Sequence, residues 1–233
     1  MYFCVIEPEE GREREAAFAR LDGPYAEHQW LWRFFPAESG ARRDFLFRST
    51  EFDRGRRYYV VAEREPKSLD SPWRVRVKHY APQLHEGQRL KFELRANPVV
   101  TTRRDGKARR DDVVMARKKR LLVERGISRW GDWKTADRPP EQELAAEACT
   151  QWLCGSGDDG SSRAGRGGFR VVDHSLGVDC YQQHRSRNHI RFSTVDLSGL
   201  LVVEDPATFE RTLREGIGHG RAFGCGLVLV KPV

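Results

Sequence analysis

The feature that most constrains this sequence is the order in which its hydrophobic period changes after residue 87. "QRLKFELRANPVV" sets Leu90, Phe92 and Leu94 against charged residues, the period-two pattern of a strand. "EQELAAEACTQWLC" has helical spacing, with Pro139 and Pro140 before it and Gly155 after it, the usual asymmetry of helix ends. "GSGDDGSSRAGRGG" then reads as a flexible loop. "FRVVDHSLGVDCYQQH" and "HIRFSTVDLSGLLVVED" read as two long strands joined by the polar tip "RSRN". In "PATFERTLREG", Asp205 is placed to cap a helix whose first position is Pro206. "CGLVLVKPV" is a final strand. Strand–helix–strand–strand–helix–strand predicts the split βαβ, or ferredoxin-like, arrangement.

The first half opens on the same plan. "MYFCVI" reads as a short buried strand, and "EEGREREAAFARLDGPYAEHQWLWRFFP" is helical, interrupted at Gly23-Pro24. Asp22 is a candidate cap for the second helical piece, and Pro36 ends it. "RDFLFRST" and "RRYYVVAERE" read as strands around the turn "EFDRG", and "WRVRVKHYAP" alternates as a further strand. The expected fold is therefore α+β, with two tandem ferredoxin-like (RRM-like, βαββαβ) domains over residues 1–86 and 87–233. A chain of 233 residues suits two compact units, and 39% hydrophobic content with six tryptophans supplies their cores.

Charge narrows the partners. The formal net charge is +7, from 41 Lys+Arg against 34 Asp+Glu. The segment from Thr101 to Arg125 holds ten Lys or Arg against four acids, so nearly the whole excess is local. This basic insertion, about 101–130, is too long for a simple connection. Its density suits phosphates, whose neutralisation releases counterions. A solvated helix face is the competing reading, with Asp111 and Asp112 near the helix start. The tip "QQHRSRNHIR" adds Arg185, Arg187, His189 and Arg191 to a ribbon of a shape that can enter a groove. Five cysteines form no zinc spacing, and no Asp/Glu cluster suits magnesium, so no metal and no cofactor are expected. The odd thiol count and the lack of a leader pattern predict reduced cysteines in the cytoplasm. No apolar run approaches a membrane span, so no membrane partner is expected.

Two further stretches carry candidate chemistry. "GIGHGRAFGCG" at 216–226 has five glycines, but it lacks the GK[ST] of a P-loop and is followed by a strand, not a helix. Successive glycines there let backbone N–H groups approach a phosphate or base, or simply form a turn. "GRAFGCG" faintly resembles the RNP1 pattern of RNA-recognition modules. On a helix, Tyr25 and His28 are i and i+3 and share a face, with Trp32 one turn beyond and Arg33 at the same end. A histidine beside a phenol and a guanidinium can move a proton near a phosphate while the cation stabilises charge. Helical histidines are more often structural than catalytic, so spacing alone leaves both readings open.

The opening "MYF", the block "HQWLWRFFP…RDFLFR" at 28–48, "NPVVTTR" at 97–103 and the terminal "GIGHGRAFGCGLVLV" together resemble one family. They are similar to the repeat-processing endoribonucleases of the type I-E CRISPR system, the CasE-type subunit of the Cascade complex. The resemblance covers essentially the whole chain. It implies tandem ferredoxin-like domains and metal-independent cleavage of precursor CRISPR RNA, within the repeat and 3′ of its hairpin. The 2′-hydroxyl attacks the phosphate, leaving a 2′,3′-cyclic phosphate and a 5′-hydroxyl. The implied partners are the CRISPR repeat stem-loop, which the enzyme retains, and other Cascade subunits.

Carried onto this sequence, the resemblance makes His28 the catalytic histidine, Tyr25 the tyrosine one turn before it, and Arg33 the basic residue often found beyond. Arginine holds its proton, so donation falls to His28. Tyr25, with an ordinary phenol pKa of about 10, positions the 2′-hydroxyl or phosphate. Expected RNA contacts are Arg103, Arg104, Lys107, Arg109, Arg110, Arg117, Lys118, Lys119 and Arg120 in the insertion, and Arg185, Arg187 and Arg191 in the hairpin. Gly218, His219, Gly220 and Arg221 in the glycine loop complete the set, with His219 an open alternative for proton transfer. A non-catalytic hairpin-binding subunit and a protein-interaction scaffold are the competing functions.

Overall fold

The structure, a computed structural model, describes residues 1–19, 24–38, 40–53, 55–104, 106–155, 162–185 and 191–233. Of residues 19, 24–26 and 102–104 it describes the backbone alone. The first half contains β1 (Tyr2–Pro8), α1 (Glu13–Ala19), α2 (Pro24–Leu31), β2 (Phe45–Phe52), β3 (Gly55–Ala62) and β4 (Trp73–His79). Its four strands form an antiparallel sheet in the order β2-β3-β1-β4. Alternation sorts its side chains: Cys4, Ile6, Phe45, Phe47, Tyr58 and Val60 face the helices and pack on Trp30, Leu31 and Phe34. Phe3, Leu46, Tyr59 and Val61 face the other way.

The second half contains β5 (Arg89–Ala96), β6 (Val99–Arg104), β7 (Lys107–Asp112), α3 (Val113–Glu124), α4 (Glu141–Cys154) and α5 (Arg163–Arg166). These are followed by β8 (Phe169–Val171), β9 (Gly177–Arg185), β10 (Arg191–Val203), α6 (Pro206–Glu215) and β11 (Val228–Pro232). The sheet order is β11-β5-β10-β8, with β9 also paired to β10. Both sheets thus have the ferredoxin-like order, and the expected α+β tandem architecture holds. Asp205 caps α6 as expected, accepting from the Thr208 N–H at 3.1 Å.

Several boundaries differ from expectation. The second crossover of the first half, residues 63–72, has no helix. It holds Pro66 and Pro72, and Lys67 N donates to Phe34 O at 2.8 Å, docking it in extended form. "QRLKFELRANPVV" is two strands, because Pro98 cannot donate to the ladder. The basic insertion is half ribbon and half helix: β6 and β7 pair, and only then does α3 begin. The ribbon register sets Thr101 and Thr102 against Arg110 and Arg109, and at the turn end it sets Arg104 opposite Lys107. Asp112 caps α3, accepting from Met115 N at 2.8 Å, and also accepts from Tyr181 on β9 at 2.9 Å. The first long strand of the later pair is broken between β8 and β9, where His174 takes a left-handed φ of 57°. Part of the glycine-rich loop is the short helix α5, capped by Ser162. The candidate cap Asp22 lies outside the described residues.

The halves are joined through the helix-free face of the first sheet. Leu46, Val61 and Leu227 form a shared apolar cluster. Beside it Arg48 is buried between Glu93 and Asp196 at 3.5 and 3.6 Å. Arg95 donates twice to Asp196, at 2.9 and 2.8 Å. No helix among the described residues is long and apolar enough to cross a membrane.

Candidate active site

The neighbour of His28 in sequence fixes its helix. Glu27 is buried, pairs with Arg56, and accepts from Tyr58 Oη at 3.3 Å, both partners on β3. His28 is half-buried and lies among rings: Phe47 stacked at 6.5 Å, Phe45 at 6.0 Å and Trp32 at 6.2 Å between centroids. Burial, and then the charge of Arg43, hold its imidazole below the usual histidine range. Both causes disfavour the charged imidazolium in the free protein.

Arg43 leads into β2, with its guanidinium 6.0 Å from the Phe45 ring centre. Burial and the nearby Arg221 lower its pKa in turn. Arg221 opens a short 3₁₀ turn, Arg221–Phe223, that packs against α2. The glycines flanking this turn explain the loop composition. Gly220 and Gly224 have φ of 78° and 75°, where a side chain is strained. A Cβ at Gly220 would meet Asn97 at 3.0 Å, and one at Gly224 would meet Phe47 at 3.2 Å. The atoms that crowd these two glycines are thus protein, including the ring on which His28 stacks. The loop brings Arg221 from the second half against α2, the helix that carries His28.

Behind the loop lies a cavity of about 370 Å³, lined by Arg163, Arg166, Arg211, Thr212, Gly218 and His219. Arg163 lies over the Trp152 ring at 4.5 Å and donates to the carbonyls of Trp152 and Val99 at 2.9 and 3.2 Å. Its pKa is lowered by burial and by Arg166. His219 is exposed, and its pKa is lowered by burial, then by Arg110, Arg163 and Arg221. Repulsion thus links these groups pairwise: Arg43 acts on His28, Arg221 on Arg43 and His219, Arg110 and Arg163 on His219, and Arg166 on Arg163. Such a set repels itself until an anion lies among its members.

The other expected residues divide. Arg33 is exposed in the turn after α2, so the cation whose field reaches His28 is Arg43. The Tyr25 backbone lies in the first turn of α2, but its side chain is outside the described residues, as are those of Arg103, Arg104 and Arg187. Lys107, Arg109 and Arg110 are exposed on β7, and Lys119 and Arg120 on α3. Arg117 and Lys118 are engaged within the fold, pairing with Glu147 at 3.0 Å and Glu141 at 2.7 Å on α4. Arg185 and Arg191 are exposed and face each other across the β9–β10 hairpin. One pair inward from these arginines His184, Phe192 and Phe223 stack at 4.7 and 4.3 Å, tying the hairpin to the glycine loop.

Sequence reasoning missed Arg43, Arg163, Arg166 and Arg211. Arg43 opens the "RDFLFR" run, whose strand pattern gives no sign that its first residue turns toward α2. Arg163 and Arg166 stand in a glycine-rich composition that reads as loop. Among the described residues no His/Cys/Asp/Glu group of three or more could hold a metal ion.

Residues 1–232 match the family model described as CRISPR associated protein. The chain belongs to this family. Among curated relatives, the CRISPR system Cascade subunit CasE of Escherichia coli (strain K12) is 26% identical over 212 residues, 90% of this chain and 92% of the relative. The CRISPR-associated endoribonuclease Cse3 of Thermus thermophilus is 27% identical over 240 residues, 93% of this chain and 94% of the relative. The resemblance drawn from the sequence motifs therefore holds. Among solved structures, Thermus thermophilus Cse3 bound to an RNA representing a pre-cleavage complex superposes with a TM-score of 0.65 at 22% identity, covering 99% of this chain and 98% of that one. Cas6e from Escherichia coli K-12 gives 0.60 at 21%, with complete coverage of both. These two likenesses establish a shared fold.

Proposed function

We propose that this protein is a metal-independent endoribonuclease that cuts precursor CRISPR RNA within the repeat, 3′ of its hairpin, and stays on the product as a subunit of a Cascade complex. The carrying observation is the half-buried His28 among Trp32, Phe45 and Phe47, with Arg43 beside the Phe45 ring and the turn of Arg221 from the other half packed on the same helix. The printed names of the two curated relatives, an endoribonuclease and a Cascade subunit, support the same reading. Its setting is the cytoplasm, and its two domains are residues 1–86 and 87–233.

In this reading the exposed cations of β7 and α3 hold the stem, and the scissile phosphate lies between Arg43 and Arg221. The neighbouring 2′-hydroxyl attacks phosphorus, and the bond to the 5′ oxygen breaks. His28 gives that oxygen its proton, and the hydroxyl proton leaves to solvent or to a base. The products are a 2′,3′-cyclic phosphate and a 5′-hydroxyl. An internal nucleophile needs orientation more than activation, so no cofactor is required. The depressed His28 pKa gives binding a second task. A phosphate seated there, beside Arg43, offsets the repulsion on His28 and favours the imidazolium, so substrate itself charges the acid. Tyr25 positions the attacking group, and Gly218, His219 and Gly220 line the path of the backbone.

The test is cleavage and binding of a cognate repeat by His28→Ala. Cleavage should fall about 10²-fold or more, the scale of one general acid, with affinity kept. A wild type that binds the hairpin and never cuts it would instead identify a non-catalytic subunit.

A further inference from the structure

A second cavity, of about 720 Å³, lies away from His28. It lies between the helix-free faces of the two sheets, so the first sheet separates it from α2. Phe3, Tyr59 and Lys78 line it from the first sheet, and Lys91, Ser198 and Lys231 from the second. Tyr80, in the connection between the halves, lines it as well. We propose that this cleft holds a single-stranded stretch of RNA, with bases on Phe3, Tyr59 and Tyr80 and phosphates on Lys78, Lys91 and Lys231. The proposal rests on the RNA-processing reading above, at a site that reading does not use.

Three observations favour this occupant. The rings form a cluster, with Phe3 6.2 Å from Tyr59 and 5.6 Å from Tyr80 at tilts of 38° and 46°, and Lys78 Nζ 5.3 Å from the Phe3 centre. Aromatic faces interleaved with cations suit unpaired bases, because every base offers a face to stack on, whereas a duplex hides its own. The charge is complementary to a polyanion: Lys78, Lys91 and Lys231 are exposed, and the only carboxylate of the lining, Glu93, is engaged by Arg48 at 3.5 Å. All three cations are lysines, whereas arginines dominate the group around His28. A lysine is a point charge without a directional fork, so it follows a backbone without selecting a base. The volume lies within the roughly 300–1,000 Å³ of ordinary ligand sites.

The test uses the full chain and a fluorescent oligouridylate of about ten nucleotides, within the roughly 4–16 that single-strand sites take. Tyr59→Ala should weaken binding about tenfold, the effect of removing one stacking partner, and Tyr59→Trp should restore it. The double variant Lys91→Glu/Lys231→Glu alters exposed side chains, so its folding is not at issue. It should weaken binding and flatten the salt dependence. Both sets should cleave a hairpin-only substrate at the wild-type rate, and His28→Ala should bind the oligouridylate normally. Unchanged oligouridylate affinity in the cleft variants overturns the proposal. So does a loss confined to assembly with other protein subunits, which would assign the cleft to a protein partner. If wild type cuts no repeat RNA yet loses oligouridylate binding in the cleft variants, the active-site reading fails and the cleft proposal stands.

Discussion

At the scale of single residues, His28 is defined by its neighbours. Its depressed pKa belongs to the free protein, so the pH profiles should separate. An acid loses function as pH rises through its pKa, and kcat/KM reports the free enzyme. The descending limb of kcat/KM should therefore lie at lower pH than that of kcat, which reports the RNA-bound state. Coincident limbs would mean that the phosphate does not reach Arg43 and His28. Arg43→Ala should cost more of kcat than Arg33→Ala, measured in single turnover. His28, His184 and His219 also share one direction of shift, lowered by burial and cations. The unfolded chain takes up these protons near pH ~6.5, the folded chain only at lower pH. Stability is thus complete above about 6.5 and falls as pH drops through the folded values. Melting curves across that interval check this, and the decline should shrink in His28→Gln. The place of His28 on a helix was legible because its stretch is contiguous. Arg43 was not, because its role comes from a turn at the strand entrance and from a partner, Arg221, far along the chain.

Elements separate cations left exposed from cations that brace the fold. Lys107, Arg109 and Arg110 stand exposed on β7, whereas Arg117 and Lys118 fasten α3 to α4. Neutralising the β7 trio should lower the slope of log affinity against log salt by about 0.7–0.9 for each phosphate that the variant no longer neutralises. Lys118→Ala should instead lower the melting temperature and leave that slope unchanged. The order of strands and helices was readable because each core-facing strand carries its own alternation, as in Leu90, Phe92 and Leu94. The break between β5 and β6 was not, since apolar Val99 and Val100 follow the first strand almost directly. One run of similar residues hid an imino acid that ends pairing. The ribbon within the basic insertion was hidden for another reason: charged and threonine side chains give no buried face from which to read a period.

For the whole molecule, function depends on the joint. Arg221 reaches α2 only because the second half is held against the first by Leu46, Val61 and Leu227 and by the cluster of Arg48, Arg95, Glu93 and Asp196. Asp196→Ala leaves two arginines without their shared carboxylate, one of them buried. It should cost on the order of 3 kcal/mol in denaturant melts, the scale of a broken buried pair. Cleavage should then suffer even though no residue of the site has changed. None of this joint was legible in the sequence, because its residues are far apart and each fits a strand on its own terms. The two-domain plan was legible, because each half repeats a local grammar of strand, helix and strand.

The most direct measurement is single-turnover cleavage of the repeat RNA from the same genome in excess EDTA, with end-group analysis of both fragments. Wild-type protein should leave a 2′,3′-cyclic phosphate and a 5′-hydroxyl, and His28→Ala should bind the RNA and leave it intact. Cutting by His28→Ala at the wild-type rate, or 5′-phosphate ends that appear only when metal is restored, would contradict that chemistry.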